Sequence, residues 1–430
     1  MPGPATYFDP ADLAALAERD ARAADLIGRR ATALGPAYRL FYREPVEFVS
    51  GRGAHLTDRD GHDWLDAYNN VPSVGHAHPR VADAIARQAA TLNTHTRYLD
   101  EATITYAEQL LATFGDALGT AHVMFTCTGS EANDLALRIA KAATGGTGVL
   151  VTDNAYHGVT TEIAAISPSL GGPASLAPWV RVIPAPGTGV DFAAGVRAAL
   201  ASLAADGIRP AALIVDTVFA SDGVHPEVTG FADAVAAVRA AGGIVIADEV
   251  QPGFGRLGGT DVAGRDTGLW GFARHGLEPD LVTLGKPMGN GYPIAAVVGR
   301  AELIAAFAAT GRDFDASGGT PAAIAAAQAT LDAVNDEALP ANARRVGGRI
   351  AAAVASMPGV VEVRAAGLFV GVELESTDVA LEVVQRMRER RILIATADAQ
   401  NRSLKIRPPL CFTDADTDRL LEGLAESLDV

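Results

Sequence analysis

Three lysines, Lys141, Lys286 and Lys405, stand against 32 arginines in this chain of 430 residues. A primary amine at a given position is therefore a choice of chemistry more than of charge. Lys286 follows the apolar run DLVTLG and precedes the glycine-rich PMGNGYP. A lysine near a strand end among apolar neighbours has its charged form disfavoured, which frees the amine to condense with a carbonyl. The bland alternative is a solvated lysine at the start of a loop. Asp248, thirty-eight residues earlier, closes the run IVIAD. A carboxylate at the end of a buried strand is costly unless it meets a cation or several donors. A structural salt bridge would serve, and so would a protonated heterocyclic nitrogen.

Two further polar groups fall at strand ends. In HVMFTCTGSEAND a strand ends near Phe125 or Thr126 and Thr128-Gly129-Ser130 leads into a helix. The free N–H groups of that first turn, with the hydroxyls, form an anion site suited to a phosphate monoester, although any capped helix looks similar. In DNAYHG, Tyr156 ends a strand and offers a ring face to a flat ligand, where packing is the plainer role. One ligand satisfies all four groups, having a phosphate, an aromatic ring, a protonatable ring nitrogen and an aldehyde. That ligand is pyridoxal 5'-phosphate. Asp216 ends the strand AALIVD, and its role is open. His76 and His78 precede Pro79 with no third ligand nearby in sequence, so no metal site is expected.

The elements that must position these groups alternate. From about Trp64 to Thr310, apolar β-type runs exchange with helical ones such as EANDLALRIAKAA and FADAVAAVRAAG. This predicts an α/β fold with a mostly parallel sheet covered on both faces, whose ligands sit beyond the carboxyl ends of the strands. Residues 8–30 read as one opening helix that Asp9 caps, and strands are expected around a turn at Asp60-Gly61. The last hundred residues change rhythm and predict a smaller α+β domain. The expected division is an N-terminal helix and strand segment over 1–60 packed with the small domain, a large cofactor-binding domain over 61–320, and the small domain over 321–430.

Hydrophobic residues make up 49% of the chain and the formal charge is −16. That balance argues against nucleic acid and anionic membrane as partners. No apolar run approaches the ~20 residues of a membrane helix. Two cysteines, Cys127 and Cys411, cannot build a disulfide framework, and no signal-peptide pattern opens the sequence. A cytoplasmic location is expected.

VGHAHPRV, TGSEANDLALRIA, AYHG, ADEVQPGFGR, TLGKPMGNGYPIAAVVG and RPPLCFT occur in an order that resembles the class III (ω-type) aminotransferases, fold-type I pyridoxal-phosphate enzymes. The resemblance runs from about residue 51 to the C-terminus. It implies Lys286 as the Schiff-base lysine and Asp248 as partner of the pyridinium nitrogen. Gly129 and Ser130 match the phosphate cradle, and Tyr156 and Val250 match the residues on the two ring faces. His157 and Gln251 match residues along the ring and its 3-hydroxyl side. The family implies a homodimer with the active site at the interface and a partner segment completing the phosphate site. There this chain reads DFDASGGTP, with Ala316 where a threonine is usual. Ser317, Thr320 or backbone N–H groups are the candidates to replace it.

Many members carry an arginine three residues before the Pro-Pro, where it binds a substrate carboxylate. Here that residue is Lys405, with Arg407 directly before Pro408. Arginine offers a planar fork suited to carboxylate, and lysine a compact point charge. The plainer reading is a tolerated swap facing solvent. Asn69 stands where some members present an aromatic. These departures, with NNVPSVGHAHP, LNTHTRYL and LKIRPPLCF, resemble the branch of phospho-lyases acting on ethanolamine phosphate and related phosphorylated amines. The implied reaction is phosphate elimination giving aldehyde, ammonia and phosphate, with Arg97, Lys405 and Arg407 as candidate substrate contacts and Asn69 or Asn70 as neutral donors. The alternative is ordinary amino transfer from an amine or ω-amino acid to a keto acid.

Overall fold

The computed structural model describes residues 7–429 apart from 188, 190 and 262. Its centre is a seven-stranded sheet in the spatial order Ala121–Thr126, Ala295–Arg300, Leu281–Leu284, Ile244–Asp248, Pro210–Asp216, Gly148–Thr152 and Val180–Ile183. Only Ala295–Arg300 runs antiparallel to its neighbours. The other contacts, from Leu281–Leu284 across to Val180–Ile183, are parallel. The mostly parallel sheet expected from the alternating runs is present. Its inner strands are buried on both faces, which is why LIV, VIA and LVTL carry no polar alternation. The runs HVMFT, AALIVD, IVIAD and LVTL singled out above form strands of this sheet. The strand before Tyr156 ends at Thr152, however, so Tyr156 stands in the following loop and does not itself end a strand. Val180–Ile183 was not foreseen, because at four residues and half exposed it carries little signal.

The helix Gly129–Thr144 packs against this sheet. Thr128 and Glu131 form a reciprocal capping box at its start, and Gly145 closes it at φ 62°. Two four-stranded sheets lie outside the large one. The first orders Phe48–Arg52, His55–Asp58, Asp63–Asp66 and Ile392–Leu393; the second orders Val360–Ala366, Phe369–Leu374, Ser403–Ile406 and Ala395–Ala397. The run ILIAT is thus split between two sheets. Ile392–Leu393 pairs parallel with Leu65 and Asp66, which stitches the N-terminal hairpin to the C-terminal portion.

The single opening helix is corrected to a 3-10 turn, Pro10–Asp12, and two helices, Leu13–Arg19 and Ala21–Leu34. Asp9 does cap the first turn. Asp20 leaves the helical region at φ −145° and accepts from the Ala23 N–H, so one residue ends the first helix and caps the next. Among the described residues no helix is long and apolar enough to cross a membrane.

Candidate active site

The carboxyl ends of Ala121–Thr126, Gly148–Thr152, Ile244–Asp248 and Leu281–Leu284 open on one cavity of about 330 Å³. Lys286, Asp248, Gly129, Ser130, Tyr156, His157, Val250 and Gln251 all line it. Topology explains the convergence, since parallel strands place the residues that follow them on one edge.

Asp248 is only 4% exposed, and three donors share its charge. Oδ2 accepts from Asn133 Nδ2 at 2.9 Å and from His157 Nδ1 at 2.8 Å, and Oδ1 accepts from the Val250 N–H at 3.0 Å. Asn133 is fixed in turn: Nδ2 also donates to the His157 carbonyl at 2.7 Å, and Oδ1 accepts from Thr283 Oγ1 at 2.6 Å. With Nδ1 donating to Asp248, His157 Nε2 is left buried and unpartnered among the described residues.

The N-terminus of the helix Gly129–Thr144 forms the opposite wall. The Thr128 hydroxyl caps the Glu131 N–H, and Ser130 Oγ accepts from the Val159 N–H at 3.1 Å, so both hydroxyls brace the turn. The Gly129 and Ser130 N–H groups have no carbonyl four residues back to bond. Glycine is required twice here. A Cβ at Gly129 would lie 2.9 Å from Val250 Cγ1, and one at Gly158, where φ is +133°, would lie 2.4 Å from Ser130 Oγ.

Lys286 Nζ lies 6.0 Å from the centre of the half-buried Tyr156 ring. Burial lowers the pKa of its amine, and the Arg407 charge lowers it further against opposing pulls from Asp248 and Asp216. Asp216 is pushed up to about 6 by burial and then by the charge of Asp248.

Arg407 stands behind Gln251. Its Nη1 donates to Gln251 Oε1 and to Asn70 Oδ1, the latter at 3.0 Å, and its guanidinium lies 4.4 Å from the centre of the Tyr68 ring. Arg407 Nε and Asn70 Nδ2 are buried without partners. Lys405, two residues earlier and inside the strand Ser403–Ile406, is 7% exposed. Among the described residues no hydrogen bond or ion pair holds its ammonium. Burial, then the Arg407 charge, pushes Lys405 down to about 7. Lys405 does not face solvent, so the plainer reading of a tolerated surface swap is set aside.

Arg407 and Lys405 are not themselves among the residues that line the cavity, and neither are the remaining expected residues. The Asn69 amide is taken by both carboxylate oxygens of Asp66, at 3.2 and 3.1 Å, and its neighbour Asn70 is the one that reaches Arg407. Arg97 stacks on Phe314, 3.5 Å from the ring centre. Ser317 is exposed, with its N–H on Asp315 Oδ1, and Thr320 stands at the start of the helix Pro321–Asp336 without a side-chain cap. The sequence reading missed Asn133, Thr283, Tyr68 and Arg256. Asn133 carried a signal, being a polar residue amid Ala132, Leu135 and Ala136 on a buried helix face.

The donor set suits pyridoxal 5'-phosphate. The cavity lies between Tyr156 and Val250, with an amine, an anchored carboxylate and a helix N-terminus on its walls. The unpaired His157 Nε2 leaves a hydrogen-bonding group for a ligand, and the bare Gly129 lets Val250 close against the helix turn.

Fold and site together define a fold-type I pyridoxal-phosphate enzyme. The chain belongs to the class-III aminotransferase family, whose pattern matches residues 42–428. It is 35% identical over 430 aligned residues to a Drosophila melanogaster alanine–glyoxylate aminotransferase 2-like protein, covering 92% of this chain and 85% of that one. It is 31% identical to a Caenorhabditis elegans protein named ethanolamine-phosphate phospho-lyase homolog 1, covering 95% and 94%. Among solved structures, a phospholyase from Arthrobacter in complex with phosphoethanolamine matches at 42% identity with a TM-score of 0.88, covering 94% and 99%.

Proposed function

We propose that this enzyme eliminates phosphate from a phosphorylated small amine such as ethanolamine phosphate, giving an aldehyde, ammonia and phosphate. The observation that carries this reading is the pair of buried cations behind Lys286. Among the described residues Arg407 Nε has no partner and no hydrogen bond or ion pair holds the buried Lys405 ammonium, in a chain whose net charge is −16. Cations left short of partners in a buried site are expensive, and a dianion supplies what they lack. The Arthrobacter phospholyase bound to phosphoethanolamine supports the same substrate chemistry.

Pyridoxal phosphate, when bound, supplies an aldehyde that captures amines and a protonated ring that draws electrons from the substrate α-carbon. Lys286 would hold that aldehyde, and its free amine would take the substrate α-proton onto Nζ. Its lowered pKa keeps the amine free to do so. Asp248, fixed by Asn133, His157 and Val250, holds the proton on the ring nitrogen. The Gly129 and Ser130 N–H groups would hold the cofactor phosphate, with Tyr156, Val250, His157 and Gln251, which line the same cavity, holding the ring. The Cβ–O bond then breaks with its electron pair leaving on phosphate, toward Arg407 and Lys405. The unsaturated amine left behind takes up water and gives aldehyde and ammonia. Residues 61–320 would form the cofactor floor, with 1–60 and 321–430 joined as the wall bearing both cations.

A homodimer fits the surface. Val71 lines the cavity yet is 39% exposed, and Tyr98, Leu99, Ile104 and Phe314 add apolar surface at 66, 98, 51 and 42% exposure. Arg97, Ser317 and Thr320, outside the cavity of their own chain, would then reach that of the partner. A cytoplasmic location belongs to the same proposal.

Amino transfer is the second reading, favoured by the family itself and by the alanine–glyoxylate aminotransferase relative. Incubation with ethanolamine phosphate, assayed for free phosphate, is compared with incubation with alanine and an aldehyde acceptor. Phosphate release without amino transfer is expected, and the reverse retires the proposal. Lys286→Ala should abolish turnover and the visible absorption of the lysine-bound cofactor; an unchanged spectrum would overturn the assignment of the amine.

A further inference from the structure

Arg256 is 0% exposed, yet among the described residues no carboxylate lies within ion-pair reach of it. Its Nη1 donates to the Pro408 carbonyl at 2.7 Å and to the Leu368 carbonyl at 3.0 Å. Its Nε and Nη2 are buried without partners. The charged neighbour that acts on it most strongly is another cation, Arg407, and burial with that repulsion holds its pKa down to about 9. A buried, unneutralised guanidinium is an expensive way to satisfy two carbonyls, so its position calls for a reason.

The surrounding backbone supplies one. The Arg256 carbonyl accepts from the Leu368 N–H at 2.9 Å, and Gly367, at φ +53°, packs so tightly that a Cβ there would lie 2.3 Å from that carbonyl oxygen. Arg256 is thereby held at both its main chain and its side chain. Pro408 directly follows Arg407, whose own N–H donates to the Ala67 carbonyl at 2.9 Å. The peptide unit before Arg407 is thus pinned to Ala67, and the Pro408-Pro409 unit, one proline ring further on, is pinned to Arg256. Only with that backbone fixed can the guanidinium meet Asn70, Gln251 and the Tyr68 face at once.

We propose that Arg256 is a positioning residue for substrate recognition: its grip on the Pro408 carbonyl aims Arg407 at the anionic group of the substrate. This rests on the reading of Arg407 as the anion contact. Arg256 touches neither substrate nor cofactor, and it acts through Pro408, whose carbonyl it holds and whose fixed ring follows Arg407.

Arg256→Met and Arg256→Lys holoenzymes test this. Each is measured for KM and kcat with ethanolamine phosphate, for binding of inorganic phosphate by calorimetry, and for visible absorption. In Arg256→Met, KM and the dissociation constant of phosphate should both rise about tenfold, as a group misplaced by a fraction of an ångström loses its contact. The kcat and the absorption of the lysine-bound cofactor should change little, and Arg256→Lys should fall between. A merely structural role would instead lower kcat, cofactor retention and melting temperature together, and that result overturns the proposal. So does unchanged phosphate binding in a variant that melts like wild type. If Arg256→Met does not fold, Arg256→Lys decides by the same two criteria. A wild-type holoenzyme that binds phosphate but never releases it from phosphorylated amines would end the phospho-lyase reading, while the binding measurements still judge Arg256.

Discussion

Asp248 and Lys405 show opposite ways of burying a charge. Asp248 is met by three donors, one of them anchored by Thr283, so its carboxylate is fixed before any ligand arrives. Lys405 has no such partner and is pushed down to about 7 by burial and by Arg407. Its ammonium is therefore present below about pH 7 and lost as pH rises through that value. If the ammonium holds the substrate phosphate, kcat/KM for ethanolamine phosphate falls above that pH by up to about tenfold per unit. A guanidinium stays charged there, so Lys405→Arg should flatten the limb. Parallel pH profiles for the two enzymes would show that Lys405 does not carry the anion. Lys286, Asp248 and the Gly129-Ser130 turn were legible as residues because each type is informative at a strand end. Tyr68 was not, since an aromatic in a loop carries no signal of its own, and Arg256, although the last residue of ADEVQPGFGR, gives no local sign of which carbonyls it holds.

At the scale of elements, the cofactor wall depends on how closely the loop after Gly148–Thr152 approaches the helix Gly129–Thr144. Ser130 Oγ accepts from the Val159 N–H, and Gly158 makes that approach possible in a backbone conformation that favours glycine. Gly158→Ala should push the loop off the helix terminus, at a cost of about 1–3 kcal/mol for overpacking plus backbone strain. The expected result is a folded protein that loses pyridoxal phosphate on dialysis, measured by residual visible absorption. Full retention with an unchanged melting temperature would show that the contact is dispensable. The strands were legible because buried parallel strands read as unbroken apolar runs. The split of ILIAT was not, since five consecutive small or apolar residues give no hint that two sheets share them.

For the whole molecule, an apolar patch with Leu99 98% exposed lies beside a cavity that borrows Val71 from the surface. Leu99→Asp should place a charge where the proposed dimer buries it. Light scattering after size exclusion should then show a shift from dimer to monomer, with loss of activity, because Arg97, Ser317 and Thr320 would no longer be supplied across the interface. A wild-type monomer of full activity would sink the interface, and a dimeric, active Leu99→Asp would remove Leu99 from it.

The amino-acid sequence alone determined the alternation that makes a parallel sheet, and with it the edge where Lys286, Asp248, Tyr156 and the Gly129-Ser130 turn must meet. Local pattern suffices there, because strand direction dictates which ends share an edge. Only the tertiary structure decided that Asn133 fixes Asp248, that Asn70 rather than Asn69 reaches Arg407, and that Lys405 is buried without a partner. Those facts depend on contacts between residues 115 to 337 positions apart in the chain, a separation at which no local periodicity reports who faces whom.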